Sequence, residues 1–185
     1  METRFIPDPI DYTGEQLHSH WAYRRFDLLG DSMVAFVGAC DVKPEYMKDV
    51  EDLRSNSRIY SERMLHFILE VFDADMDRAA LRQRLLIVLI AEELSRRLPA
   101  LRLRRKGSDL YDGAAKLTVS VASVSPVGGL IHAGINISSR NTPVPTRGLE
   151  DYGIPPREFA EAVLDAWKQE CEALRRARCK VRGCE

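Results

Sequence analysis

No stretch of this 185-residue chain approaches the ~20 consecutive apolar residues that a membrane span requires, so a membrane-spanning protein is not expected. The opening METRFIPDPIDYTGEQ has acids and prolines where a secretory leader needs a basic start and an apolar run. The cytoplasm is the expected location. Cysteine is sparse: Cys40, Cys171, Cys179 and Cys184 contain no CxxC pair, which argues against a zinc knuckle or a disulfide framework. A net charge of -1 supplies no global attraction to nucleic acid or to an anionic membrane. Ser32 lacks a GxSxG elbow, so nothing around it marks a nucleophile. Repeats and low-complexity tracts are absent as well. These absences leave an ordinary globular composition over 1–185, long enough for one domain with a substantial core.

The patterning predicts the elements. Residues 1–16, broken by Pro7, Pro9 and Gly14, read as extended and irregular. MVAFVG from Met33 to Gly38 reads as a buried strand. Ser61 as an N-cap, followed by Met64, Leu65, Ile68 and Phe72, predicts a helix over 62–72 on which His66 and Glu70 lie one turn apart. A longer helix over 77–98 would bury Leu81, Leu85 and Val88 or Leu89, and Pro99 ends it. After a long Pro- and Gly-rich loop, Pro156 starts a last helix to about Arg178, with Phe159, Val163, Trp167 and Leu174 turned inward. The order of strands and helices is irregular. It predicts an α+β fold, a mostly antiparallel sheet with helices packed on one face.

The stretch from Lys106 to Ile137 comes closest to describing a site. Leu117, Val119 and Val121 alternate with Lys116, Thr118, Ser120 and Ala122. Ser125-Pro126-Val127-Gly128-Gly129 then supplies a turn, and Ile131, Ala133, Ile135 and Ile137 alternate with His132, Gly134 and Asn136. A hairpin follows. Pairing Val124 with Leu130 makes both apolar faces coincide, with Ala122 opposite His132, Ser120 opposite Gly134 and Thr118 opposite Asn136. The other face would then carry Lys116, Thr118, Ser120, His132 and Asn136, with a gap at Gly134. A solvated sheet face explains the same pattern equally well. Outside the hairpin, Arg24 beside Trp21 and Tyr23 is a candidate carboxylate or phosphate anchor, and an aromatic patch packed against the core is the alternative that the same residues favour. His18 and His20 share a spacing that serves metals, without a third ligand nearby. Asp49, Glu51 and Asp52 could hold a magnesium-nucleotide complex or face water. The arginine stretch from Arg96 to Lys106 lacks interleaved aromatics, so nucleic acid is not the expected partner.

KGSDLYDGAAKL followed by HAGINI resembles the core of the biotin and lipoate protein ligases, a superfamily related in fold to class II aminoacyl-tRNA synthetases. In those ligases the strand lysine contacts the acyl-adenylate, and Lys116 occupies the matching position. The resemblance also implies ligand-binding roles for Asp109 in the acidic turn and Asn136 at the end of the second strand. The chain departs from the pattern in having Gly107-Ser108 where biotin ligases carry Trp-Pro-Asn, Val119 where a glycine is expected, and no glycine- and arginine-rich phosphate loop. Octanoyl transferases place a nucleophilic cysteine where this chain has Pro145-Thr146-Arg147-Gly148, so thioester chemistry is not expected. A longer match, through LHSHWAYRRFDLLGDSMVAFVGACDV, DVEDLRSN and MLHFILEVF, resembles the prokaryotic family catalogued as domain of unknown function 366. Together these imply a ligase-like fold around a small-molecule ligand. One expectation is an adenylate-forming or acyl-transfer enzyme acting on a small carboxylate, with Lys116 catalytic and Arg24, Asp109, Ser120, His132 and Asn136 binding the ligand. ATP and magnesium are the candidate cofactors. The alternatives are a non-catalytic metabolite- or nucleotide-binding module and, last, RNA binding.

Overall fold

The computed structural model describes residues 1–184. In chain order it comprises β1 (Glu2–Phe5), α1 (Trp21–Phe26), β2 (Ser32–Asp41), α2 (Val50–Arg54), β3 (Tyr60–Val71) and α3 (Met76–Arg97). There follow β4 (Leu103–Lys106), β5 (Asp109–Asp112), β6 (Ala115–Lys116), β7 (Thr118–Val124), β8 (Gly129–Asn136) and α4 (Pro156–Lys180). Five strands form one sheet in the order β1-β2-β3-β8-β7, and β4-β5-β6 form a smaller one. All neighbours in both sheets pair antiparallel except β1 with β2. The architecture is α+β and largely antiparallel, as the residue pattern predicts.

Both faces of the large sheet are covered. Helices α3 and α4 pack on one side, where Met33 and Ala35 of β2, Leu65, Phe67 and Leu69 of β3, and Ile131, Ala133 and Ile135 of β8 meet Leu86, Ile90, Phe159 and Trp167. On the other side the N-terminal segment lays Ile6, Tyr12, Leu17, Trp21 and Leu28 over Val34, Phe36, Met64 and Ile68. This two-sided burial corrects the predicted helix over 62–72. A strand buried on both faces is a continuous apolar run, and it loses the period-two signature that separates strand from helix. His66 and Glu70 therefore share a strand face rather than a helical turn. Ser61 is a strand residue and not a cap, and Phe72 lies outside the core at 39% exposure.

The two long helices lie where predicted, with local corrections. Asp75 caps α3 by accepting from the Arg78 amide at 2.8 Å, a contact that contributes ~1 kcal/mol. Its buried side carries Ala79, Gln83, Leu86, Ile87, Ile90 and Leu94, whereas Leu81 is exposed. In α4, Phe159, Val163 and Trp167 are buried and Leu174 is half exposed, because the helix outruns the sheet. The N-terminal segment is less irregular than its prolines suggest. Beyond β1, the amides of Ile10 and Tyr12 donate to Val37 and Ala39, and Tyr12 accepts from Asp41. Gly38 is required where this segment crosses β2, since a Cβ there would sit 1.9 Å from the Ile10 carbonyl oxygen.

The hairpin register differs by one residue from the predicted one. Val124 pairs with Gly129, Val121 with His132, Ser120 with Ala133, Val119 with Gly134 and Thr118 with Ile135. The polar side of β7 consequently turns toward α3 and the small sheet, and Val119 and Val121 turn toward His132 and Gly134. Polar groups on the helix side have partners. Thr118 Oγ1 accepts from the Leu110 amide at 2.9 Å, and Ser120 Oγ accepts from Gln83 Nε2 at 2.8 Å while donating to the Ser108 carbonyl. The apolar match fails as a register rule because neither face is wet.

Candidate functional site

Beside β7 and β8, on the face covered by the N-terminal segment, lies a cleft with two lobes. The first, about 210 Å³, is bordered by Tyr12, Val42, Asp49, Asp52, Lys116, Val119 and His132, among others. The second, about 270 Å³, is bordered by Arg58, Tyr60, Met64, Asn136, Pro143 and Val144, among others. Asp52, Ile59, Lys116 and Val119 border both. Together the lobes reach the size range of small-molecule sites, roughly 300–1,000 Å³.

Lys116 stands at the junction because β6 is pinned on two sides. It pairs with β5, where Lys116 lies opposite Tyr111, and it takes a bridge from the loop after β8, with the Lys116 amide donating to the Pro145 carbonyl and Arg147 donating back. The side chain is 25% exposed and its Nζ lies 2.9 Å from Oδ2 of Asp109. Asp109 lies in the acidic turn at the start of β5. Asp52 faces the same space from the short helix α2, whose first turn is capped by Asp49 Oδ1 accepting from the amides of Glu51 and Asp52. Burial, and then the neighbouring Asp49 charge, hold the Asp52 carboxyl above its ordinary range. Of the acidic cluster, Asp49 and Asp52 border the first lobe, and Glu51 is exposed in α2.

At the inner end of the first lobe His132 is 3% exposed, and its Nε2 lies 3.0 Å from Nδ1 of His66, which is fully buried. Nε2 of His66 lies 3.4 Å from the Gly38 carbonyl. The Tyr12 ring stacks on His132 at 3.8 Å and 6°, and Phe36 stacks on His66. Burial pushes the His66 pKa down to about 4. Burial first, then the proximity of His66, pushes His132 well below its ordinary value. Burial raises Tyr12 and takes Cys40 up to about 12. All four are uncharged at neutral pH.

The structure thus brings Lys116, Asp109, His132 and Asn136 to one cleft. Ser120 borders the first lobe, but its hydroxyl is engaged by Gln83 and Ser108 on the helix side. Arg24 is not brought there. It is exposed on α1 and borders neither lobe, while Trp21 packs into the core. His18 and His20 belong to a turn, with the His20 amide donating to Glu70. Among the described residues no cluster of three His, Cys, Asp or Glu side chains is placed to hold a metal ion. Sequence reasoning misses Tyr12 and His66. Tyr12 lies in an irregular segment with no periodicity, and the pattern around His66 reads as a helix. No helix among the described residues is long and apolar enough to cross a membrane.

In fold the chain is similar to a mutant of the Aquifex aeolicus biotin protein ligase in complex with biotin, with a TM-score of 0.60, 15% identity, and coverage of 93% of this chain and 70% of that one. It is equally similar to a lipoate-protein ligase A bound with ATP, with a TM-score of 0.60, 17% identity, and coverage of 93% and 86%. At such identities the likeness concerns the fold alone. Two relatives are nearer in sequence. A protein of unknown function from Pyrococcus horikoshi aligns with a TM-score of 0.91 at 40% identity over 99% of this chain and 100% of that one. The uncharacterized protein MJ0805 of Methanocaldococcus jannaschii is 40% identical over 160 residues, which is 83% of this chain and 72% of that protein. The model of the family described as Domain of unknown function (DUF366) matches residues 1–182, and the chain belongs to that family.

Proposed function

We propose that the cleft binds a small organic acid and activates or transfers its acyl group, with Lys116 as the cationic anchor. The observation that carries this reading is the place of Lys116, three-quarters buried at the junction of two lobes and held by Asp109. An ammonium in a partly dry cleft stabilises a carboxylate, or an oxyanion developing from it, more strongly than one in bulk water. A bound acid would share Lys116 with Asp109. Val119, Val121 and Ile59 supply apolar surface for the body of the ligand in the first lobe, and Asn136 supplies an amide across the junction in the second. Support also comes from the similar folds of proteins whose names record biotin, lipoic acid and ATP as bound molecules.

The test is titration of the protein with a panel of small carboxylic acids, followed by incubation with ATP and magnesium while pyrophosphate is monitored. Binding that weakens about tenfold or more in Lys116→Ala, with pyrophosphate release dependent on the acid, is expected. Absence of carboxylate binding to the parent would overturn the proposal.

One observation favours a second reading, a metabolite-binding module without turnover. The charged side chains of the first lobe are Asp49, Asp52 and Asp109 against Lys48 and Lys116, and a bare triphosphate does not fit that balance. This reading expects the same carboxylate binding and no pyrophosphate.

A further inference from the structure

The two buried histidines fix the chemistry of the inner end of the first lobe. The Gly38 carbonyl only accepts, so Nε2 of His66, 3.4 Å away, carries the proton of that neutral ring. Its Nδ1 is then an acceptor and receives the proton on Nε2 of His132 at 3.0 Å. A neutral imidazole has one N–H. Nδ1 of His132 is therefore left with a bare lone pair. Among the described residues this atom has no hydrogen-bond partner, yet it is not one of the fully enclosed unpaired polar atoms, which are Ser32 Oγ and Arg82 Nη1. It is thus not sealed off, and His132 borders the first lobe.

The orientation of that lone pair is held from several sides. Tyr12 lies flat on one face of the ring, and His66, itself stacked on Phe36, holds the opposite edge. Gly134 leaves room beside it, since a Cβ at that position would come within 3.4 Å of Cε1 of His132 and 2.3 Å of the Met64 sulfur. A rigid, dry acceptor discriminates strongly, because a ligand that cannot donate to it leaves a buried polar atom unpaired.

We propose that this end of the cleft selects a hydrogen-bond donor: besides its carboxylate, the ligand carries an N–H or O–H group that is received by Nδ1 of His132. The proposal rests on the carboxylate reading above. It divides the ligand into an acid held near Lys116, an apolar body along Val119 and Val121, and a donor group at the far end. His66 is a positioning residue, setting the tautomer of His132 without touching the ligand.

Two measurements test this. Long-range proton–nitrogen NMR of the parent protein, labelled at histidine, reads the tautomers directly. A protonated Nε2 and bare Nδ1 are expected at both rings, and a protonated Nδ1 at His132 would overturn the proposal whatever the ligand. The second measurement titrates straight-chain ω-hydroxycarboxylates of graded length against the matching ω-methoxy compounds. At the length that spans the lobe, the hydroxyl member should bind about fivefold to tenfold more tightly, and His132→Phe should bring that ratio to about one while Lys116→Ala weakens both members. Binding of both members without a preference, still sensitive to Lys116→Ala, would overturn this proposal and leave the carboxylate reading standing. Failure of every pair to bind would overturn both.

Discussion

Acid should destabilise this protein well before its carboxylates titrate, and the histidine pair is the reason. His66 is held neutral, with its pKa pushed from the ordinary 6.5 down to about 4 by burial. The unfolded chain takes up a proton near pH 6.5, and the folded chain refuses it until about pH 4. Between those values the unfolded state binds more protons, so stability present above the ordinary histidine pKa drains away as the pH falls. At about pH 5 the loss from His66 alone is on the order of 2 kcal/mol. His132 is shifted in the same direction and adds to it. Asp52, whose carboxyl is raised, works in the opposite sense. The carboxyls of Asp73 and Glu93, which arginines hold below their ordinary range, release their share only at lower pH. Urea denaturation at about pH 7.5 and about pH 5 measures the effect, and a drop of about 1 M in the midpoint is expected for an ordinary urea dependence. A double His66→Gln, His132→Gln variant keeps polar side chains that cannot titrate and should lose most of the drop. An unchanged midpoint in the parent, or the same drop in the variant, would refute the reasoning.

Three further outcomes follow from the geometry. Gly38→Ala would drive a methyl group into the Ile10 backbone. It should cost at least the ~3 kcal/mol at the upper end of ordinary overpacking, read as a lowered urea midpoint. Ser120→Ala should leave carboxylate binding within about twofold, because its hydroxyl serves Gln83 and Ser108, whereas Asn136→Ala should weaken it by roughly fivefold, the worth of one hydrogen bond; calorimetric titration of both variants decides. A double-mutant cycle on Lys116 and Asp109, both about three-quarters buried, should give a coupling of ~1 kcal/mol in stability, and no measurable coupling would mean that the pair does not form in solution.

The parts of the fold legible in the sequence are those governed by local rules. A helix covered on one face shows its period, and caps and prolines mark its ends, so α3 and α4 are readable to within about two residues. Strand β2 is legible because its apolar run is short and is entered through Gly30-Asp31-Ser32. Strand β3 is not. Both of its faces are buried by elements distant in sequence, one by α3 and α4 and the other by the segment from Ile6 to Leu28, so its pattern holds no evidence of which period applies. The residues that border the candidate cleft are legible to the same degree. Lys116, Asp109 and Asn136 stand out by their motif, and His132 by its place in an alternating strand. Tyr12 reaches His132 only because an irregular segment is zipped along β2, and nothing local announces that.

The register of the hairpin shows how one assumption about solvent carries through to the site. Aligning apolar with apolar would turn Thr118, Ser120 and Ala122 to the cleft side, with Ala122 opposite His132 and Ser120 opposite Gly134. That alignment stabilises a sheet only when its other face is in water, since a covered polar face is then the alternative to be avoided. Here the helix side offers Gln83, Ser108 and the Leu110 amide as partners for the hydroxyls of β7, so burying those hydroxyls leaves nothing unpaired. The cleft side receives Val119 and Val121 in exchange, and this has a chemical consequence. In that alignment the Ser120 hydroxyl, opposite Gly134, would share the sheet face of His132. With Val121 opposite His132 and Val119 opposite Gly134, β7 brings no hydroxyl to that face, and on the proposed reading this one-residue shift in strand pairing is what leaves Nδ1 of His132 to a ligand.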